Sequence, residues 1–270
     1  MELLDWIDID KLNWFELSQN PNAINLLEKN IDKIDWGSLS RNPNAIQLLL
    51  KNKDKIKWIN FCLNPNGIEL IKENQDKINW VSLSENSNAV SFLLNEHYEK
   101  INWYMFSRNL NAISYLKKNQ DRINWSGLSQ NPNAIDILRR NPYKIDWLSL
   151  GFNPNALIIY ELYPNKIDWI AISANPNAID LLKEHPNKIN WNYLSRNPNA
   201  ISLLKENKDK INWLELSANP NAISLLKENQ DKINWYNLSR NPEIFKTKNE
   251  NMIIIIISFL YKKVLKLFNL

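Results

Sequence analysis

Tryptophan recurs along this chain with a period that leaves few folds open. Trp14, Trp36, Trp58, Trp80, Trp103, Trp125, Trp147, Trp169, Trp191, Trp213 and Trp235 follow one another at 22-residue steps, apart from one 23-residue step between Trp80 and Trp103. Around each lies a version of the unit K-I-N-W-x-x-L-S-x-N-P-N-A-I-x-L-L-K-E-N-x-D. A period of this size marks a solenoid, in which each unit buries its apolar face only against its neighbours. The pattern has no linker. It predicts residues 12–244 as one repeat domain, residues 1–11 as an N-terminal cap and residues 245–270 as a C-terminal capping or dimerisation helix.

Each unit carries two helix-start signals. The residue before the tryptophan is Asn or Asp in all units except the one with Lys57, and such side chains cap the orphan N–H groups of a first helical turn. A short helix, α or 3₁₀, is therefore expected from each tryptophan, carrying Leu194 and its equivalents inward and stopping before the Asn-Pro step. The second signal is Asn-Pro-Asn. Asn20, Asn42, Asn131, Asn197, Asn219 and their six equivalents are expected to cap a longer helix with proline at its first position. Ala200, Ile201, Leu203 and Leu204 then share one face. The tryptophans are expected in the core, and the small residue after each inward leucine (Ser195, Cys62, Gly151) where coils approach closely.

The layout of short helix, N-P-N and longer helix resembles the leucine-rich variant repeat. The string W-x-x-L-S-x-N-P-N-A-I-x-L-L-K-E-N at Trp191–Asn207 and Trp213–Asn229 is more closely similar to repeat proteins that mimivirus-like giant viruses encode in many copies. The resemblance covers residues 10–244 and implies a viral origin, without activity, cofactor or catalytic residue. Together these readings predict an all-α, right-handed solenoid of about eleven repeats with no β-sheet.

Composition narrows the functional classes. With 44% apolar and 23% charged residues the chain is expected to fold rather than stay disordered. Four glycines are few for an all-β repeat. The single Cys62 allows no disulfide within the chain, and no signal-peptide pattern opens it, so an intracellular protein is expected, in the host cytoplasm if viral. Phosphate loops and hydrolase or zinc-protease motifs are missing, and His97 and His185 are too few for a histidine-rich metal site. No enzyme, metal or cofactor is expected. The expected function is a non-catalytic scaffold for protein–protein interaction with an unidentified partner.

Sites are sought where the repeat is released. Phe152, Ile158, Tyr160 and Tyr163 depart from the mostly polar pattern and are expected to form either an exposed partner surface or a better-buried helix. A complete basic column includes Lys144, Lys166 and Lys188. It would suit nucleic acid as the alternative function, although acidic neighbours in eight units offset its field. The 23-residue step, with Ser87 and Leu110 in place of proline, predicts a change of curvature. Residues 252–261 are apolar but shorter than the ~20 residues of a membrane span. They are expected to cap the last coil or to pair in a homodimer through residues 251–270, with a membrane tail anchor, like nucleic-acid binding along the basic column, as the lesser alternative.

Overall fold

Each 22-residue unit forms one coil of two short helices and a 3₁₀ turn. In the coil of Trp36, Asp35 is extended and its carboxylate accepts the Ser38 N–H, which starts the helix Trp36–Arg41. Asn42 ends it in extended backbone and caps the turn Pro43–Ala45, which runs into the helix Ile46–Lys51. A further 3₁₀ turn, Lys53–Lys55, and an extended Ile56-Lys57 lead to the next tryptophan. The computed structural model describes residues 1–247 in this way.

The fold is an all-α repeat solenoid, as the period predicts, with three local differences. The tryptophan helices are α-helical. The 3₁₀ geometry lies instead in the Pro-Asn-Ala turns and in a second turn per coil that the sequence reading did not foresee. A two-residue antiparallel pair, β1 (Glu2–Leu3) with β2 (Phe245–Lys246), corrects the expectation of no sheet.

That pair marks the largest difference, because the array closes on itself. The first tryptophan helix, Trp14–Gln19, packs on the last, Trp235–Ser239, as any neighbours do. The eleventh coil is split between distant parts of the chain. Residues 235–246 supply its tryptophan helix, the turn Pro242–Ile244 and β2. Residues 2–11 supply β1 and the closing 3₁₀ turn Ile9–Lys11. Residues 1–11, expected to shield a free end, thus lie against the last coil, with Ile7 buried and Leu3, Leu4 and Trp6 on the core. Residues 251–270, assigned from sequence to a cap or a dimer contact, lie outside the described residues.

Three hydrogen-bonded ladders run round the ring; the first and third cross the split coil without interruption, and the second lacks one rung there, at Glu243, whose carboxylate cannot donate. The eleven N-P-N asparagines are buried. Each accepts the N–H two residues on, and each donates to the carbonyl of the asparagine one coil earlier, as Asn42 does to Asn20 at 3.0 Å. Asn20 does the same to Asn241 at 2.9 Å, which closes the circle. The third residue of the motif repeats the device: Asn44 donates to Pro21 O, and Asn22 to Pro242 O. Each asparagine is therefore both a cap and a cross-link between coils, and the cross-link is the part that its capping propensity does not reveal.

The small residue after the inward leucine builds the third ladder. The Ser18 hydroxyl donates to Trp14 O and accepts the Asp35 N–H of the next coil, and Ser239 likewise accepts the Asn13 N–H at 2.7 Å. Cys62 Sγ takes the Asn79 N–H at the same station. Gly151 has nothing to offer there, and Tyr160 supplies the hydroxyl instead. Its Oη donates to Trp147 O at 3.2 Å and interacts with the Asp168 backbone N–H. A Cβ on Gly151 would stand 2.4 Å from Ala171 Cβ, so the glycine goes with a close approach of the two helices. In the nine other units before Trp235 the Tyr160 position is Leu or Ile.

Burial pushes the Tyr160 phenol up to about 12, against ~10 in an unfolded chain. The stability from this protonated group is complete below about pH 10 and is lost as pH rises toward 12. Tyr160→Phe should cost about 1–3 kcal/mol by removing the hydroxyl that the Asp168 N–H and Trp147 O share. Chemical denaturation of the natural chain and of this variant checks the outcome.

Candidate functional site

In a closed ring, the elements whose neighbours pack most closely lie nearest the axis. Adjacent tryptophan helices and adjacent Pro-Asn-Ala turns pack closely, whereas the second helices diverge. Gly127 shows how tight the inner layer is: a Cβ there would come 2.5 Å from Tyr104 O of the preceding coil. The tryptophan helices therefore form the inner wall and the second helices the outer one. Eleven inner helices spaced by ~9 Å give a circle of about 16 Å radius through their axes, and a lumen about 20 Å across after subtracting half a helix diameter.

Helical geometry then decides what faces the lumen. The leucine three residues after the tryptophan and the small residue after it point outward into the core and are fully buried. The residues one and five after the tryptophan fall on the opposite side. The first of these positions holds Phe15, Ile59, Val81, Leu148, Ile170, Leu214 and Tyr236, which are 45–64% exposed. Tyr104 is half-buried there, and only Gly37, Ser126 and Asn192 break the apolar girdle. An exposed apolar belt of this extent is what a binding surface presents.

The position five after the tryptophan gives the lumen its polar character. Leu63, Glu85, Arg108, Gln130 and Phe152, from five successive coils, line one continuous 420 Å³ concavity together with Pro65, Pro132 and Leu110. Arg108 pairs with Glu85 at 3.2 Å in its middle. The concavity is thus apolar at both ends and charged at the centre.

The four residues expected to form one partner patch do not come together. Phe152 lies in the lumen and is 52% exposed, and Ile158 is exposed on the outer helix Leu157–Tyr160. Tyr163 is half-buried against Trp147, with ring centroids 5.5 Å apart. Tyr160 is 2% exposed and cannot meet a partner, because its hydroxyl completes the serine ladder. The girdle itself was missed. Its signal was present as apolar residues after seven tryptophans, on the side of the helix where periodicity predicts polarity.

The basic column serves the tryptophans, which are half-buried rather than enclosed. Lys144 Nζ lies 4.7 Å from the Trp125 ring centroid, Lys166 lies 5.9 Å from that of Trp147, and Lys11 covers Trp235 across the split coil. Such contacts contribute ~0.5–1 kcal/mol at exposed sites. Lys188 is not seated on Trp169, where His185 packs at 5.0 Å; His97 takes the same role over Trp80 at 4.6 Å. Both histidines of the chain are thereby accounted for.

Among the described residues no cluster of His, Cys, Asp and Glu could hold a metal ion, and no helix is long and apolar enough to cross a membrane. No protein-family model, curated protein or solved structure matches the chain.

Proposed function

We propose that this protein is a non-catalytic ring scaffold that binds a segment of a partner protein in its lumen. The observation that carries this reading is the girdle, with its most exposed neighbours Leu148, Phe152 and Ile170 on adjacent inner helices. A soluble ring gains nothing in folding from large apolar side chains held in water, whereas a partner that covers them gains their transfer free energy. The Glu85–Arg108 pair beside Phe152 favours an amphipathic segment over a wholly apolar one. The viral resemblance makes a host protein in the cytoplasm the partner to seek first.

The nucleic-acid alternative draws no support from the geometry of the Lys column. Eight of its eleven cations lie on indole faces.

The triple variant Leu148→Ser, Phe152→Ser, Ile170→Ser removes three exposed contacts and no buried one. Buried interface anchors are worth ~1–2 kcal/mol or more each, so partner recovery by affinity purification and mass spectrometry should fall at least tenfold. The melting temperature should hold. Undiminished recovery of the same partner by a folded triple variant would refute the lumen as the site.

A further inference from the structure

The outer wall of the ring changes sign in one place. Its solvent side is set by the residues eleven, fourteen and fifteen after each tryptophan, which share one helical face, and by the residue eighteen after it, in the following 3₁₀ turn. In eight of the ten complete units acids equal or outnumber cations at these stations, as with Glu69, Lys72, Glu73 and Asp76. The exceptions are the fifth and sixth coils, which start at Trp103 and Trp125. There Lys117-Lys118 and Arg139-Arg140 stand where other coils carry pairs such as Lys183-Glu184 or Lys205-Glu206, and Tyr143 takes the place of the turn's usual acid.

These four cations are exposed, and none is paired with a carboxylate of the described residues. Lysines at the same station elsewhere are paired: Lys72 with Glu69 at 3.0 Å and Lys183 with Asp180 at 3.4 Å. Asp136 holds the matching place before Arg139 without such a bond, and the two line an open 220 Å³ concavity with Arg140. The neighbouring cations are engaged already, Arg122 with Asp121 and Trp103, and Lys144 with Trp125. Apolar surface adjoins the free cations. Tyr143 is 80% exposed, more than any other large apolar side chain among the described residues. The second helix of the seventh coil, Leu157–Tyr160, packs on Ile135–Arg140 more closely than any other described pair of adjacent second helices. It brings up Ile158 and, just past its end, Leu162, which is 57% exposed.

We propose that the outer wall of the fifth to seventh coils is a second docking surface, for a short acidic and apolar segment of another protein. Lys117, Lys118, Arg139 and Arg140 take its carboxylates, the arginines through their two-pronged fork. Tyr143, Ile158 and Leu162 take its apolar side chains. Neighbouring outer helices stand ~10–14 Å apart, one interhelical spacing out from the inner circle. An extended chain advances ~3.3–3.6 Å per residue, so about eight residues cross the three coils. A nucleic acid matches the patch less well, since its backbone would meet acid-rich coils on both sides and it offers nothing to Ile158 and Leu162. A second ring is also convex, and two convex walls touch over too narrow a strip to bury the ~1,200 Å² of a stable interface. The surface lies on the opposite wall from the lumen and does not depend on the reading given above.

The test titrates the full chain into a fluorescein-labelled peptide whose first half is glutamate and whose second half is leucine alternating with serine, and follows anisotropy. Saturable binding is expected, and about tenfold weaker binding when glycine replaces the leucines. Lys118→Glu with Arg140→Glu gives both stations the residue of Glu73, Glu184, Glu206 and Glu228, so the fold is kept. It should weaken binding at least tenfold, because each change removes an attraction and adds a repulsion. Ile158→Ser with Leu162→Glu, likewise residues of other coils, should weaken it about tenfold, and circular dichroism reports folding of each variant. The proposal is overturned by no saturable binding, by undiminished affinity in the folded Lys118→Glu, Arg140→Glu variant, or by an oligothymidylate of similar length that binds more tightly than the peptide. A dimer of the natural chain that this variant splits would assign the patch to a second copy instead. The lumen triple variant should bind the peptide as the natural chain does, whatever its partner recovery, so the two ideas fail separately; loss of the peptide there would place it in the lumen and overturn the outer site.

Discussion

Asn197→Asp is expected to destabilise the ring by about 3–5 kcal/mol at neutral pH, more than Asn197→Ala does. If asparagine were only a helix cap, aspartate would serve nearly as well, because the two rank together at that position. The ladder reverses this expectation. Asn197 Nδ2 donates to Asn175 O at 2.7 Å and to Ser173 O at 3.2 Å, in a site closed to solvent. A carboxylate there would turn a buried negative charge toward two carbonyl oxygens. Alanine loses a cap worth ~1 kcal/mol and two hydrogen bonds of ~0.5–1.5 kcal/mol each, without adding charge. The aspartate penalty should shrink below about pH 4, where the carboxyl is protonated in the unfolded chain as well. Urea unfolding at pH 7 and pH 3.5 measures both effects. An aspartate variant within about 1 kcal/mol of the natural chain at pH 7 would show that the cross-links contribute little.

Removing residues 1–11 should have the largest effect of any change considered. It strips the split coil of Ile7, Leu3, Leu4 and Trp6, of the pairing with Phe245 and Lys246, and of the cation over Trp235. A fully buried side chain of this size contributes ~1.5–3 kcal/mol, so a loss above about 5 kcal/mol is expected. The form of unfolding should change too. Stability in a repeat array is a sum of unit and interface terms, and an opened ring loses one interface and acquires two frayed edges. A broader thermal transition at lower temperature is the expected result. The matching control joins Lys246 to Glu2 through Asn-Gly, which converts the existing antiparallel pair into a two-residue hairpin. New ends are opened between Asn207 and Lys208 on an outer turn. This circular permutant should retain its stability within about 1–2 kcal/mol, as only a closed ring allows.

The coil was legible in the sequence because each of its parts has a local cause. Asn13 and its equivalents cap the first helix, the N-P-N asparagines cap the second, and the leucines fall at helical spacing. The extra residue of the 23-residue step is also local: it lengthens the outer helix Val90–Glu96, and Asn109 still bonds to Asn86 O at 2.8 Å. Closure was not legible, because no residue states the angle between coils, and small angles must sum to a full turn. Its traces were present as two unexplained ends: Leu3 and Leu4 resemble the close of a missing helix, and Glu243 breaks the last unit. They are the two halves of one coil. The lumen girdle depended on closure as well. Until the ring is known, Leu148 and Ile170 are scattered exposed residues, and the more conspicuous Tyr160 draws attention to a position that proves to be core.

The central claim is that the ring is closed, and one distance comparison tests it most directly. Spin labels at Asp32 and Asp231, in a Cys62→Ser background, sit on exposed outer turns nine coils apart along the chain but only two apart across the split coil. Labels at Asp76 and Asp121 are two coils apart along the chain, on the side of the ring away from the split coil. Double electron–electron resonance should give both pairs the same narrow distance within a few ångströms. A distance for Asp32 and Asp231 longer by tens of ångströms, with the other pair unchanged, would show an open solenoid and contradict the account.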